Sequence, residues 1–515
     1  MVQAWRALRR GLRRDRPAGR WLTAAGVLGA LAAFGQAPWG LWPLTLVGLG
    51  GLVVVVARAG AWRAAAWLGW AGGVGHFGLA LSWLVEPFLV DPLRHGWMAP
   101  FALAGMAAGL ALFWAAAAGV AHVVAGAAWA RALALAPVLA AAELARGHVL
   151  TGFPWAMPGH VWLDTPLAQL AAVVGVSGLT ALTFAVVAVL GAVVLAPGRA
   201  PVSVAGLGLV AVMAGGWAWG AARLAAPAPV DPGPQVRLVQ PNVPQHLKWR
   251  RDLVWLFFER HLDLTAAPPD PGQAPPDLVV WPETAVPWLF DPGDPALQSI
   301  AQAAGGAQVA LGVQRAEAGR FFNSMVVLDP AGRPTAVYDK HHLVPFGEYI
   351  PLLGRLADGP LPGLAGQALQ GYSAGPGPVL LDLGPLGRAL PLICYEAVFP
   401  AHLRTAERPD FVLQVTNDAW FGRMSGPWQH LAQARLRAIE QGLPVLRAAN
   451  TGISAVIDAN GRPVVQLGLG RPGVVDAALP APLPATPFAH TGEAPLAGLL
   501  ALIVAGLALQ RWRSR

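Results

Sequence analysis

The single cysteine among 515 residues, Cys394, closes an apolar run, Arg388-Ala-Leu-Pro-Leu-Ile-Cys394-Tyr395-Glu396. A thiol at the end of a buried strand is held rigidly while its sulfur still faces a cleft, and a thiolate is a strong nucleophile toward acyl groups. A lone cysteine is more often a small buried hydrophobe, so it needs partners to mean anything. Glu283 ends a second apolar run, Asp277-Leu-Val-Val-Trp-Pro-Glu283, and is a carboxylate placed to take the thiol proton. Lys340 ends Val337-Tyr-Asp-Lys340 and is one of only two lysines, the other being Lys248, in a chain that otherwise uses arginine. Arginine does not give up its proton, whereas a partly buried lysine is a compact and tunable cation. Taken alone, Lys340 reads as a solvated strand-end charge. Taken together, the three supply a base, a fixed positive charge for thiolate and oxyanion, and a nucleophile. The backbone N–H of Tyr395, directly after the cysteine, is the natural second oxyanion donor.

The wording around these residues narrows the expectation. Lys340 opens Lys-x-x-Leu-Val-Pro-Phe-Gly-Glu348-Tyr, Cys394 is followed by Tyr395-Glu396, and then come Thr416-Asn-Asp-Ala-Trp-Phe-Gly and Gly426-Pro-Trp-Gln-His. This set resembles the nitrilase (carbon–nitrogen hydrolase) superfamily, whose members use a Glu–Lys–Cys triad in that chain order, and within it the apolipoprotein N-acyltransferase family. The resemblance covers roughly residues 235–480 with specific motifs and the flanking apolar segments more loosely. It implies Glu283, Lys340 and Cys394 as the triad, with Glu348 and Glu396 orienting the lysine and supporting the site. It also implies an acyl chain taken from a phospholipid onto Cys394 and passed to the α-amino group of a lipoprotein's diacylglyceryl-cysteine. Trp249, Trp155, Leu352, Leu353 and Leu356 are the candidates for substrate contact. The segment Asn417-Asp-Ala-Trp fits a structural turn equally well.

The elements that must position these groups read as an α/β layer. Strands are expected at 236–240, 277–281, 308–313, 324–329, 335–339, 388–393, 411–415 and 453–457, with helices at 250–266, 295–304 and 427–441. Interleaving of this kind argues a layered core; the α-β-β-α sandwich comes from the resemblance. The Pro/Gly-rich apolar stretch from Pro351 to Gly366 is too long for an ordinary connection and suits a lid, which with Val286-Pro-Trp-Leu-Phe290 would rim the site, or else a loop folded onto its own domain.

Composition sets the rest of the chain apart. Hydrophobic residues make up 55% and charged residues 12%, far from a soluble domain's balance. Apolar runs long enough to cross a bilayer fall near 21–36, 41–57, 64–84, 98–124, 128–146, 167–195, 201–221 and 494–510. The chain therefore divides into a membrane domain at 1–226 with about seven spans, a catalytic domain at 227–485, and a last span and tail at 486–515. The net charge of +8 sits on the flanks of the apolar runs, while the polar domain is close to neutral. That is topology charge and no nucleic-acid face. Arg58, Arg63, Arg131, Arg199 and the terminal arginines fall on one side, with Glu86, Asp91 and Asp164 on the other, where Arg94 and Arg146 are the exceptions. Cytoplasmic termini and a periplasmic catalytic domain, in a bacterial inner membrane, are expected.

Inside the membrane half, Glu143 and Arg146 lie one helical turn apart and are expected to pair, and His76 and His122 stand alone. Gly72, Gly73 and Gly75 follow no strand, so close helix packing explains them better than a dinucleotide site. No cofactor is implied. His341 and His342 are adjacent, so their side chains are expected to diverge, and no metal cluster is foreseen. Two competing functions remain in view: an anchored amidase of small amides, and a transporter with an external binding domain.

Overall fold

The computed structural model describes residues 17–226, 233–269, 271–351 and 371–513. The chain forms two compact units, Met1–Ala226 with Thr491–Arg515, and Pro227–His490.

The first unit is helical: α1 (Gly19–Ala33), α2 (Trp42–Ala57), α3 (Trp62–Ala80), α4 (Ala99–Val124), α5 (Ala128–Arg146), α6 (Ala171–Leu195) and α7 (Ala200–Ala225). Among the described residues five helices are long and apolar enough to cross a membrane, and six if the bent pair Trp62–Ala80 and Ser82–Leu89 counts as one span. One of the five is the C-terminal helix Ala494–Arg513. With lipid outside, such helices gain little from hydrophobicity alone and associate through close backbone approach. The glycines of α1 and α3 supply it. A Cβ on Gly29 would fall 1.8 Å from the Gly72 carbonyl oxygen, and one on Gly75 would fall 1.9 Å from that of Gly26. Glu143 and Arg146, one helical turn apart, do pair. Arg146 bridges to Glu143 at 2.5 Å, Trp114 Nε1 donates to Glu143 at 2.8 Å, and Arg146 also donates to the carbonyls of Phe153 and Trp155.

The second unit is a sandwich of two six-stranded sheets. Its elements are β1 (Gln235–Gln240), α8 (Val254–Ala266), β2 (Leu278–Val280), α9 (Ala296–Ala303), β3 (Gln308–Glu317), β4 (Arg320–Leu328), β5 (Pro334–Asp339), β6 (Leu381–Asp382), β7 (Arg388–Ile393), β8 (Phe411–Thr416), α10 (Gly426–Gln441), β9 (Val445–Ala449), β10 (Ser454–Ile457), β11 (Pro463–Leu467) and β12 (Gly473–Ala478). One sheet runs β12-β1-β2-β3-β4-β5 and the other β11-β10-β9-β8-β7-β6. In each, three central strands are parallel: β1-β2-β3 and β7-β8-β9.

Alternation of side chains along the strands builds two kinds of core. Val236, Leu238, Leu278 and Val280 face the other sheet and meet Ile393, Leu413, Val415 and Leu446. Their neighbours Val239, Val279 and Trp281 face outward onto Phe258 of α8 and Leu297 and Ile300 of α9. On the far side Leu390, Leu392 and Val412 pack under Leu431, Ala434 and Ala438 of α10. Both sheets are buried on both faces, giving the α-β-β-α order.

Candidate active site

Three strand ends deliver the chemistry. Glu283 follows β2, Lys340 follows β5 and Cys394 follows β7. The parallel strands of each sheet point their carboxyl ends the same way, where side chains leave the ladder and are free to converge.

Glu283 is held at the turn after β2 by both neighbours. Asn323 Nδ2 donates to Oε1 at 2.7 Å, and the backbone N–H of Asn417 donates to Oε2 at 2.9 Å. The turn lies directly on β3: the Ala285 N–H donates to the Gly312 carbonyl at 2.7 Å, and a Cβ on Gly312 would sit 2.6 Å from the Glu283 Cα. Only glycine admits that approach. The next residue, Thr284, has φ 48°, and its hydroxyl accepts from buried Lys248 at 2.7 Å while the Glu283 carbonyl accepts from the same ammonium at 3.1 Å. Burial lowers Lys248 to about 8, against the opposing pull of Glu283.

Lys340 is 1% exposed, and its Nζ lies 3.0 Å from Glu348 and 3.8 Å from Glu283. Burial by itself disfavours the ammonium, but Glu348 and then Glu283 outweigh it and hold Lys340 well above the ordinary lysine range. Glu348 in turn accepts from Asn323 Nδ2 at 3.1 Å and from the Val344 N–H at 2.7 Å. Both carboxylates and Asn323 thus form one network around a permanent cation.

Cys394 has φ 52°, a left-handed conformation that costs a non-glycine residue about 1–3 kcal/mol and persists only when its surroundings over-determine it. Glu396, fully buried, does much of that. Its Oε2 accepts from the Ile393 N–H at 2.8 Å, and its Oε1 accepts from the Tyr338 hydroxyl and the backbone N–H groups of His341 and His342. The nucleophile turn is thereby tied to the end of the lysine strand. Burial and then the charge of Glu283 push the Cys394 thiol well above its usual range, with Lys340 pulling the other way. A thiol raised in this way calls for a proton acceptor during attack, the part expected of Glu283.

The remaining sequence candidates fall in different places. The Tyr395 ring is buried against His342 and Phe399. Trp249 is half-buried, with the Lys248 ammonium 5.6 Å from its ring centroid. Trp155 belongs to the helical unit, fully buried against Trp83 and Phe153. Leu352, Leu353 and Leu356 lie outside the described residues. One expectation is corrected. His341 and His342 do not diverge: both rings meet His402, at centroid distances of 4.5 and 4.8 Å. The chain turns after Lys340, so the alternation of a strand no longer applies. Sequence inspection also missed Asn323, and left open the turn at Asn417, whose backbone contacts the base directly. For Asn417 the family motif was the signal; for Asn323, mid-strand on β4, there was none.

The carbon–nitrogen hydrolase family profile matches residues 235–484, and that of the apolipoprotein N-acyltransferase N-terminal domain matches residues 28–189. Apolipoprotein N-acyltransferase of Caulobacter vibrioides is 40% identical over 95% of this chain and 94% of its own. The protein of that name from Rhodopseudomonas palustris is 38% identical, over 92% of each. Among solved structures, a carbon–nitrogen hydrolase superfamily protein from Xanthomonas campestris is 25% identical with a TM-score of 0.36, over 51% of this chain and 96% of that one. The chain belongs to the apolipoprotein N-acyltransferase family.

Proposed function

We propose that this membrane acyltransferase takes a fatty acyl chain from a phospholipid onto Cys394 as a thioester. The chain then passes to the N-terminal α-amino group of a lipoprotein's diacylglyceryl-cysteine. The observation that carries the mechanism is that the ends of β2, β5 and β7 bring Lys340 within 3.8 Å of Glu283 and both charges to bear on Cys394. Glu283 takes the thiol proton as sulfur attacks the ester carbonyl. Lys340 and the Tyr395 N–H stabilise the oxyanion, and the protonated Glu283 returns its proton to the departing lysophospholipid oxygen. In the second half the amine nitrogen bonds the acyl carbon and the same carboxylate accepts its proton. That proton passes to the Cys394 sulfur as the C–S bond breaks, restoring the thiol.

The catalytic role belongs to residues 227–485, with 1–226 and 486–515 as the membrane part. Both substrates reside in the bilayer, so a domain anchored there meets them at high effective concentration. The distribution of arginines supports cytoplasmic termini and a periplasmic catalytic domain in the inner membrane. Trp249, Leu352, Leu353 and Leu356 are proposed to contact the lipid substrates; Trp155, expected among them, has no exposed surface and is left out.

Purified protein given phospholipid but no amine is expected to gain the mass of one acyl chain on the peptide containing Cys394, removable by neutral hydroxylamine. A diacylated lipopeptide with a free N-terminus should discharge it, and an N-blocked one should not. Hydrolysis outrunning aminolysis would make the enzyme an amidase or lipase instead. Absence of any acyl group on Cys394 would end the proposal.

A further inference from the structure

Glu396 fixes the amide before Cys394, but the turn has a second anchor on the opposite side. The Cys394 carbonyl lies 3.0 Å from Nε2 of His430, which projects from the first turns of α10 and is fully buried. A carbonyl oxygen only accepts, so the network assigns a hydrogen to Nε2. The Gln414 side-chain amide lies 3.3 Å from the same nitrogen and its oxygen has no partner; turning that amide over gives the oxygen this hydrogen as well.

The other side of the ring is clamped. Nδ1 lies 2.9 Å from Asp418 Oδ1 and 3.3 Å from Arg447 Nη2. A carboxylate oxygen likewise only accepts, so a ring that serves Asp418 and the Cys394 carbonyl together carries both hydrogens. Burial and then Arg447 work against that charge, and Asp418 supports it. Asp418 also takes Arg447 at 2.5 Å and the Thr416 hydroxyl at 2.9 Å. Burial alone would raise its carboxyl, but Arg447 and then His430 reverse that and bring it to about 2. A Cβ on Gly452 would lie 2.2 Å from this carboxylate, so the backbone closes over it. An ionised, enclosed Asp418–Arg447 pair is a rigid mount for an imidazole.

The peptide joining Cys394 to Tyr395 is planar and trans, so its C=O and N–H point in opposite directions. A hydrogen bond that fixes the carbonyl toward α10 therefore also fixes where the Tyr395 N–H points. We infer that His430, mounted on Asp418 and Arg447, is a positioning residue that aims the Tyr395 N–H at the oxyanion formed on the acyl carbonyl. This rests on the proposed thioester mechanism, with Cys394 as nucleophile and the Tyr395 N–H as oxyanion donor.

The test separates oxyanion stabilisation from thiol reactivity. Full-length protein in detergent is assayed for thioester formation with phospholipid and, separately, for alkylation of Cys394 by iodoacetamide, a displacement that develops no oxyanion. His430→Phe removes the donor, whereas the amide of His430→Gln can donate to the same carbonyl. In His430→Phe the acylation rate constant should fall about 100-fold, the scale of one oxyanion donor. Its KM for phospholipid and its alkylation rate should stay within about threefold, and His430→Gln should recover at least about tenfold of the loss. Equal falls in acylation and alkylation would show a misplaced thiol and overturn the inference. So would wild-type acylation in a folded His430→Phe, or an acylation defect in a folded His430→Gln as deep as in His430→Phe. If His430→Phe does not fold, His430→Leu is read in its place against the same rescue by His430→Gln: a fall in acylation without a fall in alkylation supports the inference, and parallel falls or wild-type acylation overturn it. A wild-type protein that never forms a thioester would sink the underlying mechanism instead, which is a distinct result.

Discussion

The backbone N–H of Asn417, at the end of β8, donates to Oε2 of Glu283, at the end of β2, over 2.9 Å. This bond joins the two sheets of the sandwich at the position of the candidate base. Glu283→Gln replaces one acceptor oxygen with an amide whose hydrogens face Asn323 or Asn417. Thioester formation should drop by about two to four orders of magnitude, with the melting curve only slightly lowered. Acylation at the wild-type rate would remove Glu283 from the mechanism.

Lys340 sits between two buried carboxylates. Lys340→Met leaves Glu348 uncompensated and should destabilise the domain by about 3–5 kcal/mol. Adding Glu348→Gln should restore most of that stability and none of the activity. Lys340→Arg should fail too, because a planar guanidinium does not occupy the place of a compact ammonium. Turnover in Lys340→Arg near that of wild type would reduce the lysine to a structural charge.

The thiol of Cys394 is held high by burial and by Glu283. Its alkylation rate should therefore keep climbing beyond about pH 10, where an ordinary cysteine has levelled off. A plateau near neutral pH would mean a preformed thiolate and no need for a base.

Lys248 titrates at about 8 because of burial, well below its value in an unfolded chain. Between those two values the unfolded state binds more protons, so stability rises with pH across that window. The melting temperature of wild type relative to Lys248→Met should increase from about pH 8 to about pH 10.5. A flat difference would show that the ammonium is solvated.

Gly312→Ala tests the close approach of β3 to the turn of the base. A methyl group 2.6 Å from the Glu283 Cα displaces that turn, and overpacking of this kind costs about 1–3 kcal/mol. Activity should fall further than stability does, since the base moves with the turn. An unchanged acylation rate would show that the turn tolerates the shift.

Much of this was legible because the key groups sit at the ends of short apolar runs, and such runs declare themselves locally. Glu283, Lys340 and Cys394 each end one. The strand β9 escaped notice because Arg447 interrupts it, and a buried arginine makes sense only once Asp418 is known to face it. β12 was missed for a related reason. It pairs with β1, and the Arg237–Asp476 bridge at 2.6 Å spans nearly the whole domain in sequence. Helix α8 was expected from residue 250 and begins at Val254, after tight turns at Leu247 to Leu253. Contacts of that range leave no periodic trace in the chain.

The two sheets repeat one plan: an antiparallel edge, three parallel strands, then two antiparallel strands. Glu283 and Asn417 follow the middle parallel strand of their respective copies, and they are the pair that touch. Glu283 and Cys394, the candidate base and nucleophile, therefore come from different copies, and neither half holds the whole proposed triad. Any breathing motion that parts the sheets separates these two side chains before a single strand is lost. Enzymatic activity is thus a more sensitive gauge of the seam between the halves than any measure of secondary structure.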